Sequence, residues 1–388
     1  MEVKGTLKRI YRWEYFWLFL IVIVTLGMHI SIVNLPDALI LDEQHYVKDA
    51  LNILDNNQTQ RVEHPPLAKL FIAGSIETLG NNPWGWRIPS VLMGSIGIIL
   101  FFLICRRLNL SRRTSSIATA LYGFENFTFL LSSVAMLDVF FVTFMLAFFL
   151  LYLQRRYVLS GIFIGLSALA KLYGALASPT LLIHWIFSKT KPSRWFVLTV
   201  ILAPLSFLAL LPVFDFAITK QWQNPLLRIN EMLSLSGSLT FANTQHEALS
   251  RPWEWIINYK PMAFWYTPHY SGAISPTIWM LIIPVVLYLF FQTVRRNEAG
   301  IFGFAWFFST YLLWIPISII TNRISFVYYF YPTIGAICLG LGLGINQIME
   351  WLPNKSRKVN KTILALIIIF FLAHATSFVI LSPVFFRN

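Results

Sequence analysis

Apolar runs long enough to cross a bilayer recur along almost the whole chain, and no other feature constrains the fold as strongly. The hydrocarbon core of a bilayer is roughly 30 Å thick, which a helix crosses with about 20 consecutive apolar residues. Runs of this kind are read at about 15–33, 87–104, 114–132, 138–153, 159–172, 174–188, 196–214, 276–292, 301–320, 325–345 and 362–384. They predict an all-α polytopic membrane protein with about 11 transmembrane helices. A single membrane-embedded domain over 1–388 is expected, with no separate soluble domain. Composition agrees, since 57% of the residues are hydrophobic and 12% are charged. That charged share is about half of the roughly 25% usual in soluble domains.

The net charge of +13 raises the question of nucleic acid. In membrane proteins basic residues more often encode orientation, because Lys and Arg are retained on the cytoplasmic side. The segments KGTLKR, RRLNLSRR, QRR, KTKPSR, TVRR and NKSRKVNK fall at alternate ends of the spans. They predict an N-in, C-out topology and account for the positive charge without nucleic acid as a partner. Cys105 and Cys338 suggest neither a pairing nor a metal site. The first apolar run is long and lacks a small-residue cleavage site, so it reads as a retained span rather than a signal peptide.

Two segments on the outer face are long enough to build a site, 34–86 and 215–275. In the first, Val47, Ala50, Leu51 and Leu54 recur at helical spacing beside Lys48, Asp49 and Asp55. This pattern suits a helix lying in the interface. The stretch LAKLFIAGSIETL (67–79) is likewise one-sided and too short to span. The second outer segment is dense in aromatics between Arg251 and Tyr270, as expected at headgroup depth.

The stretch LDEQHYVKDA (41–50) follows the first span and lies outside in this topology. With EHPPLAKLFIAG (63–74), GWRIPSVLMG (85–94), SSVAMLD (132–138), ALAKLYG (168–174) and SRPWEW (250–255), it resembles the protein O-mannosyltransferase family. The resemblance covers most of the chain in the family's order. The N-terminal half is also similar to the lipid A aminoarabinose transferases. It implies the class C membrane glycosyltransferase fold and transfer of mannose, or a similar hexose, from a polyprenyl or dolichyl phosphate donor. The implied acceptor is a Ser or Thr hydroxyl of an exported protein, and the implied stereochemistry is inverting.

By that resemblance Asp42 and Glu43 form the catalytic acidic pair, Asp42 being the base that takes the proton of the incoming hydroxyl. The competing reading makes Asp42 only the cap of an interfacial helix. Glu63, His64, Lys69, Arg87, Asp138, Lys171, Arg251 and Arg323 are expected around the donor phosphate and sugar. A guanidinium such as that of Arg87 can hold two phosphate oxygens at once, whereas lysine acts as a point charge. Outward arginines run against the positive-inside bias, so Arg87, Arg251 and Arg323 stand out. Trp253 and Trp255 either stack on sugar or anchor at headgroups. Glu63, His64 and His246 are the candidates for a divalent metal, although no ligand spacing supports one.

Two positions depart from the family pattern. Ser133 stands where the family has Arg, which leaves Lys171 or Arg87 to partner Asp138, and Leu172 stands where it commonly has Trp. The absence of a P-loop and of a G-x-G-x-x-G opening a helix agrees with a lipid-borne rather than a nucleotide-borne sugar. The expected partners are the lipid-phosphate sugar donor, a protein or lipid acceptor and membrane lipids, with a homo- or hetero-dimer allowed. The expected location is the cell membrane with the site outside, or the ER membrane in a eukaryote. Three rivals stand beside this reading. They are the same chemistry on a lipid or glycan acceptor, a transporter of the lipid-linked sugar, and an inactive homologue. A transporter would place polar groups at the midplane in repeated halves, whereas here charges gather at the outer rim.

Overall fold

The computed structural model describes residues 14–267 and 269–385. The basic KGTLKR segment lies outside the described residues. The chain is overwhelmingly helical. Helix α1 (Phe16–Ile32) is followed by two short outer helices, α2 (Glu43–Asn56) and α3 (Leu67–Leu79). Then come α4 (Pro83–Arg107), α5 (Arg112–Gly123), α6 (Asn126–Ser133), α7 (Leu137–Leu153), α8 (Tyr157–Ala170), α9 (Pro179–Phe187) and α10 (Val197–Thr219). The second half contains α11 (Pro225–Ser238), α12 (Ile282–Val294), α13 (Glu298–Phe307), α14 (Trp314–Thr321), α15 (Tyr331–Trp351) and α16 (Arg357–Leu381). One-turn helices at Glu254–Ile257 and Pro276–Trp279 are left unnumbered.

Five helical stretches are long and apolar enough to cross a membrane: Pro83–Arg107, Arg194–Thr219, Glu298–Thr321, Val327–Asn354 and Arg357–Leu381. A sixth is gained if α6 and α7, bent by 117°, count as one. Shorter apolar helices cover Phe16–Ile32, Tyr157–Ala170, Leu172–Phe187 and Ile282–Val294. The Glu298–Thr321 stretch contains a π-helical turn at Phe308–Leu312 between α13 and α14.

Two expectations need correction. The uninterrupted span at 114–132 is broken, because Glu125 caps α6 by accepting from the Thr128 amide. The same buried carboxylate accepts from the Ser275 amide at 3.0 Å, so the break anchors the second outer segment. The fold is also not purely helical. Met262–Trp265 (β1) and Tyr270–Gly272 (β2) form an antiparallel hairpin over the site face. The Tyr270 hydroxyl donates to the Leu35 carbonyl at 2.6 Å, joining the two outer segments.

The main core runs through α4, α7, α13 and α15, where Phe101, Phe102, Phe148, Phe149, Trp306 and Phe302 interlock. Small residues permit the close approaches. A Cβ on Gly335 would lie 2.2 Å from the Trp306 ring. Basic residues collect at the end of the bundle opposite α2 and α3. There Arg106 pairs with Glu14, and Arg113 reaches the Met349 sulfur.

Candidate active site

The first outer segment is held by buried ion pairs rather than by apolar packing alone. Gly85 makes this possible in the first turn of α4: a Cβ there would lie 2.0 Å from the Gly80 carbonyl oxygen. Two residues on, Arg87 is fully enclosed. Its Nε and Nη2 each lie 2.9 Å from a Glu43 carboxylate oxygen. Its remaining N–H groups go to the carbonyls of Val33, Leu35, Pro36 and Ala38. Glu43 is equally occupied, accepting also from the amides of Ile40 and Ala135. The acidic pair is therefore split. Glu43 is a structural anchor without a free lone pair facing the site, and Arg87 has no N–H left for a phosphate. Both arrangements follow from burial, since an enclosed charge must find a partner.

The same holds for other expected cations. Lys69, also fully enclosed, donates to Thr59 Oγ1 at 2.7 Å and to the Arg61 carbonyl at 2.8 Å, with Asp49 Oδ2 at 3.4 Å. Asp49 in turn accepts from the amides of Gln60 and Arg61. Burial lowers the Lys69 ammonium to about 8, against the pull of Asp49. Lys69 thus staples the 57–66 loop. Lys171 answers the question of Asp138's partner, with its Nζ 2.8 and 2.9 Å from the two carboxylate oxygens. It lies over the Tyr329 ring at 4.7 Å. Ser133 bonds His29 Nδ1 at 2.9 Å and the Phe129 carbonyl, so this position is buried between α1 and α6. Leu172 faces an apolar groove beside α10.

Asp42 is different. It occupies the position before α2 yet makes no side-chain capping bond, so it does not serve as the cap. Leu41, just before it, has a φ of 46°, a left-handed conformation that costs a residue with a Cβ roughly 1 kcal/mol or more. This turn aims the Asp42 carboxylate into a cavity of about 380 Å³. Its side-chain partner among the described residues is the Tyr328 hydroxyl, which donates to Oδ2 at 3.2 Å. Asp42 forms no ion pair among the described residues.

The cavity is also lined by His45, Tyr46, Arg61, Glu63, His64, His246, Arg323, Phe326 and Tyr329. Arg61 lies 3.7 Å from Glu63 and contacts His45 Nδ1. The Tyr46 hydroxyl is 3.4 Å from His64 Nε2. Burial, reinforced by Asp42, keeps that hydroxyl protonated. Burial, followed by the fields of Lys171, Lys69 and Arg323, holds His64 well below the usual imidazole range, and hence neutral. Burial and Arg61 also lower His45.

Arg323 lies in an extended stretch after Asn322, pinned by bonds from Phe241 N to Asn322 O and from Ile324 N to Leu239 O. Its Nε is buried with no partner among the described residues. Arg251 instead stacks on the Phe241 ring at 3.8 Å and donates to Asn322 Oδ1, so it supports the Arg323 stretch from behind. Trp255 is buried against Ser250, and Trp253 is exposed beside Arg251. Among the described residues no group of three or more His, Cys, Asp or Glu is arranged to hold a metal, so Glu63, His64 and His246 do not converge as ligands.

Sequence reasoning missed Arg61, Tyr328, and the pair of Asp215 and Arg228. Arg61 was legible as a basic residue beside EHPP. Tyr328 and Arg228 reach Asp42, Val62 and His64 far away in the chain, which no local pattern signals.

The sequence and fold comparisons point the same way. Residues 63–218 match the model of the dolichyl-phosphate-mannose-protein mannosyltransferase family. A Mycobacterium tuberculosis polyprenol-phosphate-mannose–protein mannosyltransferase is 31% identical over 153 residues, covering 37% of this chain and 29% of that protein. The chain thus matches under a third of that relative's length. A Corynebacterium glutamicum protein of the same name is 21% identical over 394 residues, covering 77% of this chain and 75% of the relative. The S. cerevisiae Pmt1-Pmt2 protein O-mannosyltransferase complex bound to its sugar donor gives a TM-score of 0.75 at 12% identity, covering 96% and 90% of the two chains. ArnT from Cupriavidus metallidurans gives 0.61 at 18% identity, covering 91% and 63%. At these identities the structural likeness establishes the class C membrane glycosyltransferase fold and nothing finer.

Proposed function

We propose that this chain, a glycosyltransferase resembling the protein O-mannosyltransferase family, moves mannose or a similar hexose from a polyprenyl or dolichyl phosphate to a Ser or Thr hydroxyl of an exported protein. One observation carries the reading. Around the site Glu43, Asp49, Asp138 and Asp215 are each matched to a buried cation, whereas Asp42 faces the cavity with only a tyrosine hydroxyl. A carboxylate that faces a cavity without a cationic partner is positioned to act as a general base.

In this mechanism the acceptor hydroxyl approaches the anomeric carbon while Asp42 takes its proton. The new C–O bond forms as the bond to the phosphate oxygen breaks, and the electron pair leaves with the phosphate. A phosphate anion departs without a general acid, but it needs charge neutralisation. Arg323, whose Nε is free, and Arg61 are the cavity cations for that task. Lys171 reinforces them electrostatically while remaining paired with Asp138. One base on one face and cations on the other suit inversion, unlike the paired carboxylates of retaining hydrolases.

The donor's tail requires an apolar path. Beside Leu172 a groove of about 420 Å³ runs between α8 and α10, lined by Ile164, Ala168, Phe207 and Ile229. It supports lateral entry of the donor from the bilayer. The proposed topology has eleven spans, N-in and C-out, with the basic end of the bundle in the cytoplasm and the cavity outside.

The test is transfer of radiolabelled mannose from the lipid phosphate to a Ser/Thr-rich peptide by purified protein in lipid. Asp42→Asn is expected to lower transfer roughly 10²–10⁴-fold without loss of folded protein. Retained activity removes Asp42 from the role. Label passing to a lipid instead of the peptide keeps the chemistry and replaces the acceptor.

A further inference from the structure

Helix α11 carries two neighbouring residues that face different parts of the proposed site. Arg228 is 4% exposed. Its Nη1 donates to the Val62 carbonyl at 2.7 Å and its Nη2 to the His64 carbonyl at 3.4 Å. One guanidinium therefore grips the backbone on both sides of Glu63. Its Nε faces Asp215 Oδ2 at 3.4 Å, at the end of α10, and Nη1 also lies 3.4 Å from Glu231. Lys69 and Asp49 secure the other end of the same loop.

Ile229 is rotated about 100° around the helix and lines the apolar groove between α8 and α10. Helix α11 does not rest on the main core. Met232 joins a small separate cluster with Leu67, Leu169 and Leu211, against which Leu172 and Ile229 pack. Leu67 immediately follows the Pro65-Pro66 end of the loop. The other face of α11 exposes Leu226, Leu227 and Leu233. A short helix held by one satellite cluster and one ion pair is the kind of element that docks or releases as a unit.

We infer that α11 couples occupancy of the tail groove to the geometry of the Glu63–His64 loop, with Arg228 as the positioning residue. The inference rests on the donor reading given above, which supplies the occupant of the groove. A polyprenyl chain packed against Ile229 holds α11 down, and Arg228 then fixes the backbone that carries Glu63 and His64 into the cavity. A donor with too short a tail leaves α11 less firmly docked and the loop out of register. The tail would then contribute to turnover as well as to binding. Displacement of reacting groups by about 1 Å can cost roughly 100-fold in rate.

The first arm of the test needs no sugar transfer. Hydrogen exchange of residues 57–66 is measured on the full chain in lipid nanodiscs, with and without undecaprenyl phosphate. Added lipid phosphate is expected to slow exchange in the wild type. The effect should be lost in Arg228→Met/Asp215→Leu, which removes both charges so that neither is stranded, and weakened in Ile229→Ala. Arg228→Lys, a point charge in place of a fork, should restore only part of it. Unchanged wild-type exchange, or equal protection in the double variant, overturns the coupling. Asp42→Asn should keep the exchange response while losing transfer, so failure of the donor reading and failure of the coupling are distinguishable. The second arm compares kcat/KM for polyprenyl and citronellyl phosphate mannose. The wild-type preference for the long tail should fall roughly tenfold or more in the double variant. An equal loss on both donors would mean a purely structural clamp and would also overturn the proposal.

Discussion

The first outer segment, 34–86, and the last helix, α16, are held in place by different physics. The segment and the start of α4 place Glu43, Asp49, Lys69 and Arg87 out of reach of solvent and bind them to one another and to backbone carbonyls. Helix α16 fully buries only His374 and Phe378 over its 25 residues, with Ile367, Phe370 and Phe371 partly buried against the core. Each buried charge tolerates one geometry, because a misplaced partner leaves an ion in low dielectric. An exposed leucine on α16 needs only apolar surroundings, which lipid supplies as well as protein does. The buried pairs can therefore fix the turn that carries Asp42, while the periphery remains permissive.

The sharpest way to break this contrast is to strand one charge. Glu43→Gln leaves the Arg87 guanidinium buried and without its counter-ion, and breaking such a pair costs about 3–5 kcal/mol. Loss of the folded fraction on gel filtration in mild detergent is the expected outcome. Replacing both partners, Glu43→Leu with Arg87→Met, should recover much of the stability, although the carbonyls of Val33, Pro36 and Ala38 then lose a donor. If the single variant is as stable as the wild type, the segment is not held as described here.

A smaller effect comes from His64. Burial and nearby cations keep its imidazole neutral well below its ordinary value near 6.5. The unfolded chain takes up a proton there and the folded chain does not. Stability is therefore lost as the pH falls below about 6.5, until the folded imidazole also protonates. The slope contributed by this one group is at most about 1.4 kcal/mol per pH unit. Thermal midpoints of the wild type and His64→Gln, compared between neutral and mildly acidic pH, isolate it, and the wild type should lose more. Parallel curves would mean that His64 titrates normally and that the cavity is more open to water than its lining implies.

The same contrast governs what was legible in the sequence. Hydropathy located α4, α15 and α16, because a long helix averages its signal over many residues. It missed the break at Glu125, since one capping acid barely lowers the mean of an apolar window. An acid followed by Asn126 within an apolar run was the available cue. The motif blocks led to Asp42, whose role in the resemblance is local. They offered Lys171 as a partner for Asp138, which is the pair observed, but did not signal the pairing of Arg87 with Glu43 or of Lys69 with Asp49. A cation in a motif looks the same whether it meets a phosphate or a carboxylate, and the pairs join positions as distant as 43 and 87. Arg228 was invisible for the same reason, since its contacts with Val62 and His64 cross between the two outer segments.

The smallest expected effect tests the permissive side. Leu372 on α16 is 63% exposed, so Leu372→Ala should change stability by no more than about 0.5 kcal/mol. Two residues along, His374 Nδ1 lies 2.8 Å from the Thr277 hydroxyl in a buried contact. His374→Leu leaves that hydroxyl unpaired and should cost about 1–3 kcal/mol. The pair of substitutions asks whether α16 is fixed by its inward face or along its whole circumference. A loss for Leu372→Ala as large as that for His374→Leu would mean that the outward face of α16 is itself packed against another polypeptide. Helix α16 would then be permissive in a single chain but not in the assembly in the membrane.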